Sequence, residues 1–66
     1  MRLSDRMVLD HLAFPLNGRT RKEIMARTGI TKVGAVADSL KRLRTAGLLE
    51  GWDVTDEGRR KLGPRP

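Results

Sequence analysis

The stretch TRKEIMARTGITKVGAVADSLKRLRTAGLL, residues 20–49, decides the fold. It opens with Thr20 and Glu23 at the spacing of a capping box, in which a hydroxyl and a carboxylate satisfy backbone N–H groups at a helix start. We therefore expect a short helix from about Arg21 to Arg27. Gly29 follows as a left-handed stop for that helix.

A longer helix completes the same stretch. We expect Thr31 to cap it, Gly47 to end it, and Ile30 to be buried before it. Its apolar residues recur at helical spacing: Val33, Val36, Ala37, Leu40 and Leu43. A capped helix, a short turn containing glycine and a longer amphipathic helix form the pattern of a helix-turn-helix, whose second helix enters the DNA major groove.

One further helix is predicted upstream of this motif. Ser4 is its expected N-cap, and Asp5 suits the positive end of the helix dipole. Phe14 and Pro15 are expected to end it, because the residue before a proline is pushed out of the helical region. Asn17-Gly18 then has the composition of a turn.

A small hairpin and a short helix are predicted downstream. Residues 48–50 and 52–54 suit two very short strands around Gly51, and Thr55 is positioned to cap a basic helix that reaches Leu62. The fold class is therefore mainly α with a small β-hairpin (α+β), formed as one domain over residues 1–62. The prolines in residues 63–66 predict a flexible tail.

The composition and charge of the chain limit the kinds of partner and chemistry that we expect. The chain has 66 residues, 14 Lys+Arg against 8 Asp+Glu, a net charge of +6 and no cysteine. The positive charge favours phosphate polyanions or acidic protein surfaces as partners.

Because His11 is the only histidine and lacks nearby ligand types, we expect it on the surface, and we expect no metal, no cofactor and no enzymatic activity. No apolar run could span a bilayer, so we expect a cytoplasmic protein, nucleoid-associated if DNA-bound.

Two segments carry a resemblance to a known group. VADSLKRLRTAGLL (residues 36–49) resembles the recognition helix and following strand of the MarR-like winged helix-turn-helix regulators, and VTDEGRRKL (residues 54–62) resembles their step out of the wing. The resemblance implies a winged helix-turn-helix with three helices, a short wing and a short C-terminal helix. The wing is much shorter than in that group, and effector binding and dimerisation are not carried over.

Base-contact candidates come from a helical wheel of the longer helix. Small residues would let the helix sit deep in the groove, and Arg42 can bond bidentately to guanine while Asp38 can accept from cytosine. The alternative is an exposed ion pair between Asp38 and Arg42 on a solvated face. The predicted base contacts are Thr31, Lys32, Gly34, Ala35, Asp38, Ser39 and Arg42.

Phosphate contacts are predicted mainly where cations crowd the start of the second helix, because cations there oppose the helix dipole and suit an anion instead. Cations of the last helix are equally well explained by the dipole alone. Trp52 is expected as a packing anchor more than a stacking group. The predicted phosphate contacts are Arg19, Thr20, Arg21, Lys22, Lys41, Arg59 and Arg60.

Double-stranded DNA is thus the expected partner, read by the helix over residues 31–46 of a small transcription regulator or of a phage or mobile-element factor. One recognition helix offers little contact area, which favours weak homodimers or paired binding on DNA. A protein-interaction module that docks a host or partner protein is the main alternative. RNA binding is a weaker third, since the chain has only Phe14 and Trp52 for stacking.

Overall fold

A computed structural model of the protein describes residues 1–13 and 19–63. The described chain is mainly helical with a small antiparallel hairpin, as the sequence predicts. The predicted helix end at Phe14 and Pro15, the Asn17-Gly18 turn and residues 64–66 of the predicted tail lie outside the described residues. In chain order the elements are α1 (Leu3–Leu12), α2 (Arg21–Thr28), α3 (Val33–Thr45), β1 (Leu49–Glu50), β2 (Asp53–Val54) and α4 (Asp56–Leu62).

Helices α1, α2 and α3 pack against one another around a shared apolar core. α2 contributes only Ile24 to the fully buried set, so most of its surface stays exposed. α1 is covered by both α2 and α3, so a wider part of its surface is buried. His11 lies in this buried part, and the prediction of a surface histidine is therefore wrong. The buried apolar residues are Val8, Leu9, Leu12, Ile24, Val36, Leu40, Leu43, Leu48 and Leu49.

The threonine cap and the glycine stop of α2 are confirmed, whereas the Glu23 carboxylate meets the Thr20 hydroxyl in place of the backbone N–H predicted for it. The Thr20 hydroxyl oxygen accepts from the Glu23 backbone N–H at 3.2 Å and lies 3.3 Å from the Glu23 carboxylate. Gly29 ends the helix at a φ of 80°, in the left-handed region that favours glycine. Ile30 is half-buried against the core rather than fully buried. Residues 29–32 form the turn that joins α2 to α3.

Two predicted helix caps are wrong. The Arg6 N–H donates to the Arg2 carbonyl at 3.0 Å, so helical bonding starts early and Ser4 lies inside the first turn of α1. In α3, the N–H groups of Ala35 and Val36 both reach the Lys32 carbonyl, which makes Lys32 the N-cap. Neither cap residue makes a side-chain capping bond.

The hairpin is confirmed, but its strands are shorter than predicted, because Leu48 precedes β1 and Trp52 lies in the turn. Leu49 pairs with Val54 and Glu50 pairs with Asp53, which leaves Gly51 and Trp52 as a two-residue turn. Gly51 has a φ of 62°, as the first position of a type II′ turn requires. Strands of two residues are too short to be stable alone, so the hairpin depends on its contacts with the helices.

Thr55 and Gly58 fix α4 against the hairpin. The Thr55 hydroxyl accepts from the Gly58 N–H at 3.1 Å and donates to the Gly47 carbonyl at 2.7 Å. A Cβ on Gly58 would run into the Leu48 carbonyl oxygen and the Val54 side chain. The threonine at position 55 thus caps α4, and the glycine three residues later lets α4 pack closely against Leu48 and Val54.

Candidate nucleic-acid interface

The start of α2 carries two exposed cations. Arg21 and Lys22 occupy the first turn and make no ion pair within the described residues. Thr20 precedes them, and its hydroxyl is already engaged with Glu23 as a helix cap. Both cations thus stand beside unbonded backbone N–H groups at the positive end of the helix dipole, an arrangement that suits a phosphate.

Arg19 is placed differently from its two neighbours. Its Nη1 donates to the Asp53 carboxylate at 2.7 Å and to the Trp52 carbonyl at 2.9 Å. Its side chain keeps 38% of its surface exposed. Arg19 therefore connects the start of α2 to the hairpin. To fill its predicted phosphate role, it must leave these partners or share its N–H groups between them and the phosphate.

The outward face of α3, as we use the term, consists of Gly34, Asp38, Lys41 and Thr45. These residues are exposed, and they lie opposite the buried Val36, Leu40 and Leu43. Ala35 is exposed at its edge, and Thr31 and Lys32 are exposed just before the helix. Five of the seven predicted base-contact residues are thus accessible on or beside this face.

Ser39 does not belong to that face, so its predicted position among the exposed base-contact residues is wrong. Its side chain is 0% exposed, because α1 covers this side of α3. Its hydroxyl lies 3.2 Å from Nη2 of Arg42. The helical wheel placed Ser39 outward because it is polar, whereas packing against α1 encloses it with a polar partner.

Arg42 is also turned toward α1, which corrects its predicted position on the groove-reading face. Its Nε donates to Oδ2 of Asp5 at 3.0 Å and its Nη2 donates to Oδ1 at 2.8 Å. This pair replaces the predicted exposed pair between Asp38 and Arg42. This bidentate guanidinium–carboxylate pair engages Nε and Nη2, and so uses N–H donors that a bidentate contact to guanine would need.

The environment of Asp5 explains why this pair persists. Asp5 is 5% exposed, and the hydrogen bonds from Arg42 hold the pKa of its carboxyl below its ordinary value, against burial, which raises it. The Ser39 hydroxyl lowers this pKa further. A buried carboxylate that lost Arg42 would be left without its main compensating charge.

The cations of α4 have a helix-based explanation. Arg60 pairs with Glu57 at 2.8 Å on an exposed surface, and Arg59 and Lys61 are exposed beside it in the last turn. Cations at a helix C-terminus are stabilising without any ligand. The predicted phosphate role of Arg59 and Arg60 thus gains no specific geometric support.

Arg44 is a residue that sequence reasoning missed. Its Nε donates to the Gly51 carbonyl at 2.9 Å, and its guanidinium lies 5.5 Å from the centre of the Trp52 ring. Trp52 itself is half-buried against the core, so its expected role as a packing anchor is confirmed. No local motif marks Arg44, because its partners are in a turn that only the hairpin register defines.

No protein-family model, curated protein or solved structure gives a significant match to this chain. Over residues 1–13 and 19–63, no group of three or more His, Cys, Asp or Glu side chains is arranged to hold a metal ion. None of the helices in this part of the chain is long and apolar enough to cross a membrane. The candidate site is the surface around α2, α3 and the hairpin, which carries the exposed cations described above.

Proposed function

We propose that this protein binds double-stranded DNA as a helix-turn-helix domain with the hairpin as its wing, similar in plan to the MarR-like regulators. α3 enters the major groove with its outward face toward the bases. The observation that carries the proposal is the combination of that exposed, small-residue face with unpaired cations at the start of α2. The biological role would be that of a small transcription regulator or a phage or mobile-element DNA-binding factor.

Close approach to DNA is supported by the residues near the start of α3. Gly34 has no side chain, and a Cβ built there would meet no atom within 4 Å. Ala35 beside it is exposed and small. A helix backbone with such residues can lie deep in a groove about 12 Å wide.

Base reading falls to the polar residues that remain on this surface. Lys41, a predicted phosphate contact, lies on the outward face of α3 and can instead donate to guanine O6 or N7. Asp38 can accept from cytosine N4. Thr31 and Lys32 precede the helix and can contact bases or phosphates at its N-terminal end. Ser39 and Arg42 act behind this surface by fixing α3 to α1.

Phosphate contacts fall to Arg21 and Lys22, with Lys32 beside the start of α3. If two more of the predicted phosphate contacts, such as Arg19 and Arg59, join these three, about five cations meet phosphates, and the logarithm of the binding constant falls with the logarithm of salt at a slope of about −4.5. A single module of this size covers roughly 600–1,000 Å² of surface in such complexes, so tight specific binding favours two copies on adjacent half-sites.

A protein-docking role is the second candidate, and Asp38 is the observation that favours it. This carboxylate is exposed in the middle of the outward face of α3, where it repels phosphate unless a cytosine amino group pairs with it. Met1 and Leu3 also leave large apolar surfaces exposed at the start of α1. A protein partner would use such features.

The proposal is tested by a matched pair of charge removals. Lys41→Gln removes a cation from the outward face of α3, whereas Lys61→Gln removes one from α4. We expect Lys41→Gln to weaken duplex binding and relax the preference at one base pair, with little effect from Lys61→Gln, measured by fluorescence anisotropy. Equal effects of the two substitutions would contradict the proposed orientation of α3.

A further inference from the structure

Two arginines from outside the hairpin contact its turn. Arg44 extends from the last turn of α3 to the Gly51 carbonyl and the Trp52 ring. Arg19, the residue before the Thr20 cap of α2, extends to the Trp52 carbonyl and the Asp53 carboxylate. Because each strand has only two residues, these contacts help to fix the turn, together with the packing of Trp52 on the core.

The two partners of Arg19 differ in how firmly they are held. The Trp52 carbonyl belongs to the backbone of the turn. Asp53, by contrast, exposes 84% of its side chain, so its carboxylate returns to water at little cost when Arg19 leaves. Exposed ion pairs of this kind are weak and salt-sensitive.

Asp53 also sits in an unfavourable electrostatic position within the hairpin. It lies directly opposite Glu50 in the register, and like charges facing each other across a strand pair are destabilising. Both carboxylates are exposed, but only Asp53 has an arginine partner within the described residues. The hairpin thus holds a carboxylate at the place where Arg19 would meet an anion.

We infer that Asp53 is a built-in competitor of a DNA phosphate for Arg19. This inference rests on the proposed DNA binding. When a duplex lies against α3, Arg19 keeps the Trp52 carbonyl and exchanges its single Nη1 bond to Asp53 for a backbone phosphate, which can accept two guanidinium N–H groups at once. Asp53 therefore lowers DNA affinity while it keeps Arg19 folded over the hairpin in the free protein.

The test is a double-mutant cycle with a control on the opposite strand. Asp53→Asn and Glu50→Gln remove the same charge from the same residue pair, but only Asp53 contacts Arg19. With the full chain and a labelled random duplex, we expect Asp53→Asn to bind about two- to fivefold more tightly than Glu50→Gln does. Combination with Arg19→Gln should abolish this extra gain. Emission from Trp52, the only tryptophan, checks that each variant unfolds cooperatively.

The outcomes separate this inference from the function on which it rests. If the wild type binds DNA but Asp53→Asn gains no more than Glu50→Gln, the competitor role is refuted and DNA binding stands. The same conclusion follows if the gain persists with Arg19→Gln or if Asp53→Asn binds more weakly. Absence of wild-type binding at low salt refutes both.

Discussion

Arg42 of α3 and Asp5 of α1 form a two-bond guanidinium–carboxylate pair, with N···O distances of 3.0 Å and 2.8 Å. Asp5 is buried, whereas the Arg42 side chain keeps 39% of its surface exposed. The pair ties the proposed recognition helix to the first helix of the bundle. We therefore expect Arg42 to position α3 rather than to read DNA.

The stability of the protein should depend on pH through Asp5. Its pKa lies below the ordinary 3.8 in the folded state, so its contribution is complete above about pH 5 and is lost as pH falls through the folded pKa. Asp5→Asn should lower the free energy of unfolding near neutral pH by about 1–2 kcal/mol, or the melting temperature by about 5–10 °C. It should also flatten the acid limb of the stability profile.

Thermal unfolding followed between neutral and acid pH measures this dependence. The exposed Glu50→Gln is the control, expected to change stability by less than about 0.5 kcal/mol. An Asp5→Asn variant as stable and as acid-sensitive as the wild type would show that the pair contributes nothing to folding.

Arg42→Ala should act on stability and not on sequence preference. The substitution leaves the Asp5 carboxylate buried without its main partner, so the melting temperature should fall. The bases preferred by the variant should match those preferred by the wild type, as measured by sequencing the DNA retained from a random pool. An unchanged melting temperature with lost preference at one base pair would restore Arg42 as a base reader.

Two glycines should respond in opposite ways to alanine. Gly58→Ala places a Cβ against the Leu48 carbonyl and should destabilise the protein by about 3 kcal/mol, since a backbone group cannot move aside as a flexible side chain can. Gly34→Ala meets no neighbour and should stabilise α3 by about 0.5–1 kcal/mol. Denaturant titration measures both values. A Gly58→Ala variant of wild-type stability would disprove the close approach of α4 to Leu48.

The start of α2 should contribute to DNA affinity without sequence preference. Arg21→Gln should weaken binding to all duplexes alike and reduce the magnitude of the salt slope by about 1. Folding stability should rise slightly, since a cation is removed from the positive end of a helix. Arg27→Gln, at the other end of α2, is the matched control and should leave the slope nearly unchanged. Equal slopes for the two variants would remove Arg21 from the interface.

The fold was predictable from sequence wherever the deciding contacts are local. Thr20 reaches Glu23 and Thr55 reaches Gly58 across three residues, and Gly29 needs only its own backbone angle. These signals place α2, α4 and the turn before α3. Hydrophobic spacing also predicts most of the core face of α3, since Val36, Leu40 and Leu43 are buried. Val33 has the same spacing but is 54% exposed at the start of the helix.

The candidate site was less predictable because its arginines are placed by distant partners. Arg42 meets Asp5 across 37 positions, and Arg19 meets Asp53 across 34. A helical wheel assigns polar side chains to the solvent, but α1 covers one polar flank of α3 and supplies a carboxylate there. Only the packing of the helices tells which cations near α2 and α3 remain available. On the proposed DNA-facing surface, Arg21, Lys22, Lys32 and Lys41 have no ion pair within the described residues, whereas Arg19 is held by Asp53.

Duplex DNA binding by the outward face of α3 and the start of α2 is measured by fluorescence anisotropy with a random duplex pool at about 50 and 200 mM salt, followed by sequencing of the retained fraction. We predict binding at the lower salt, a salt slope of about −4.5 and an enriched motif. A steep slope without a motif would keep DNA binding but remove base reading by α3. No binding at the lower salt would contradict the proposal and favour a protein partner for the outward face of α3.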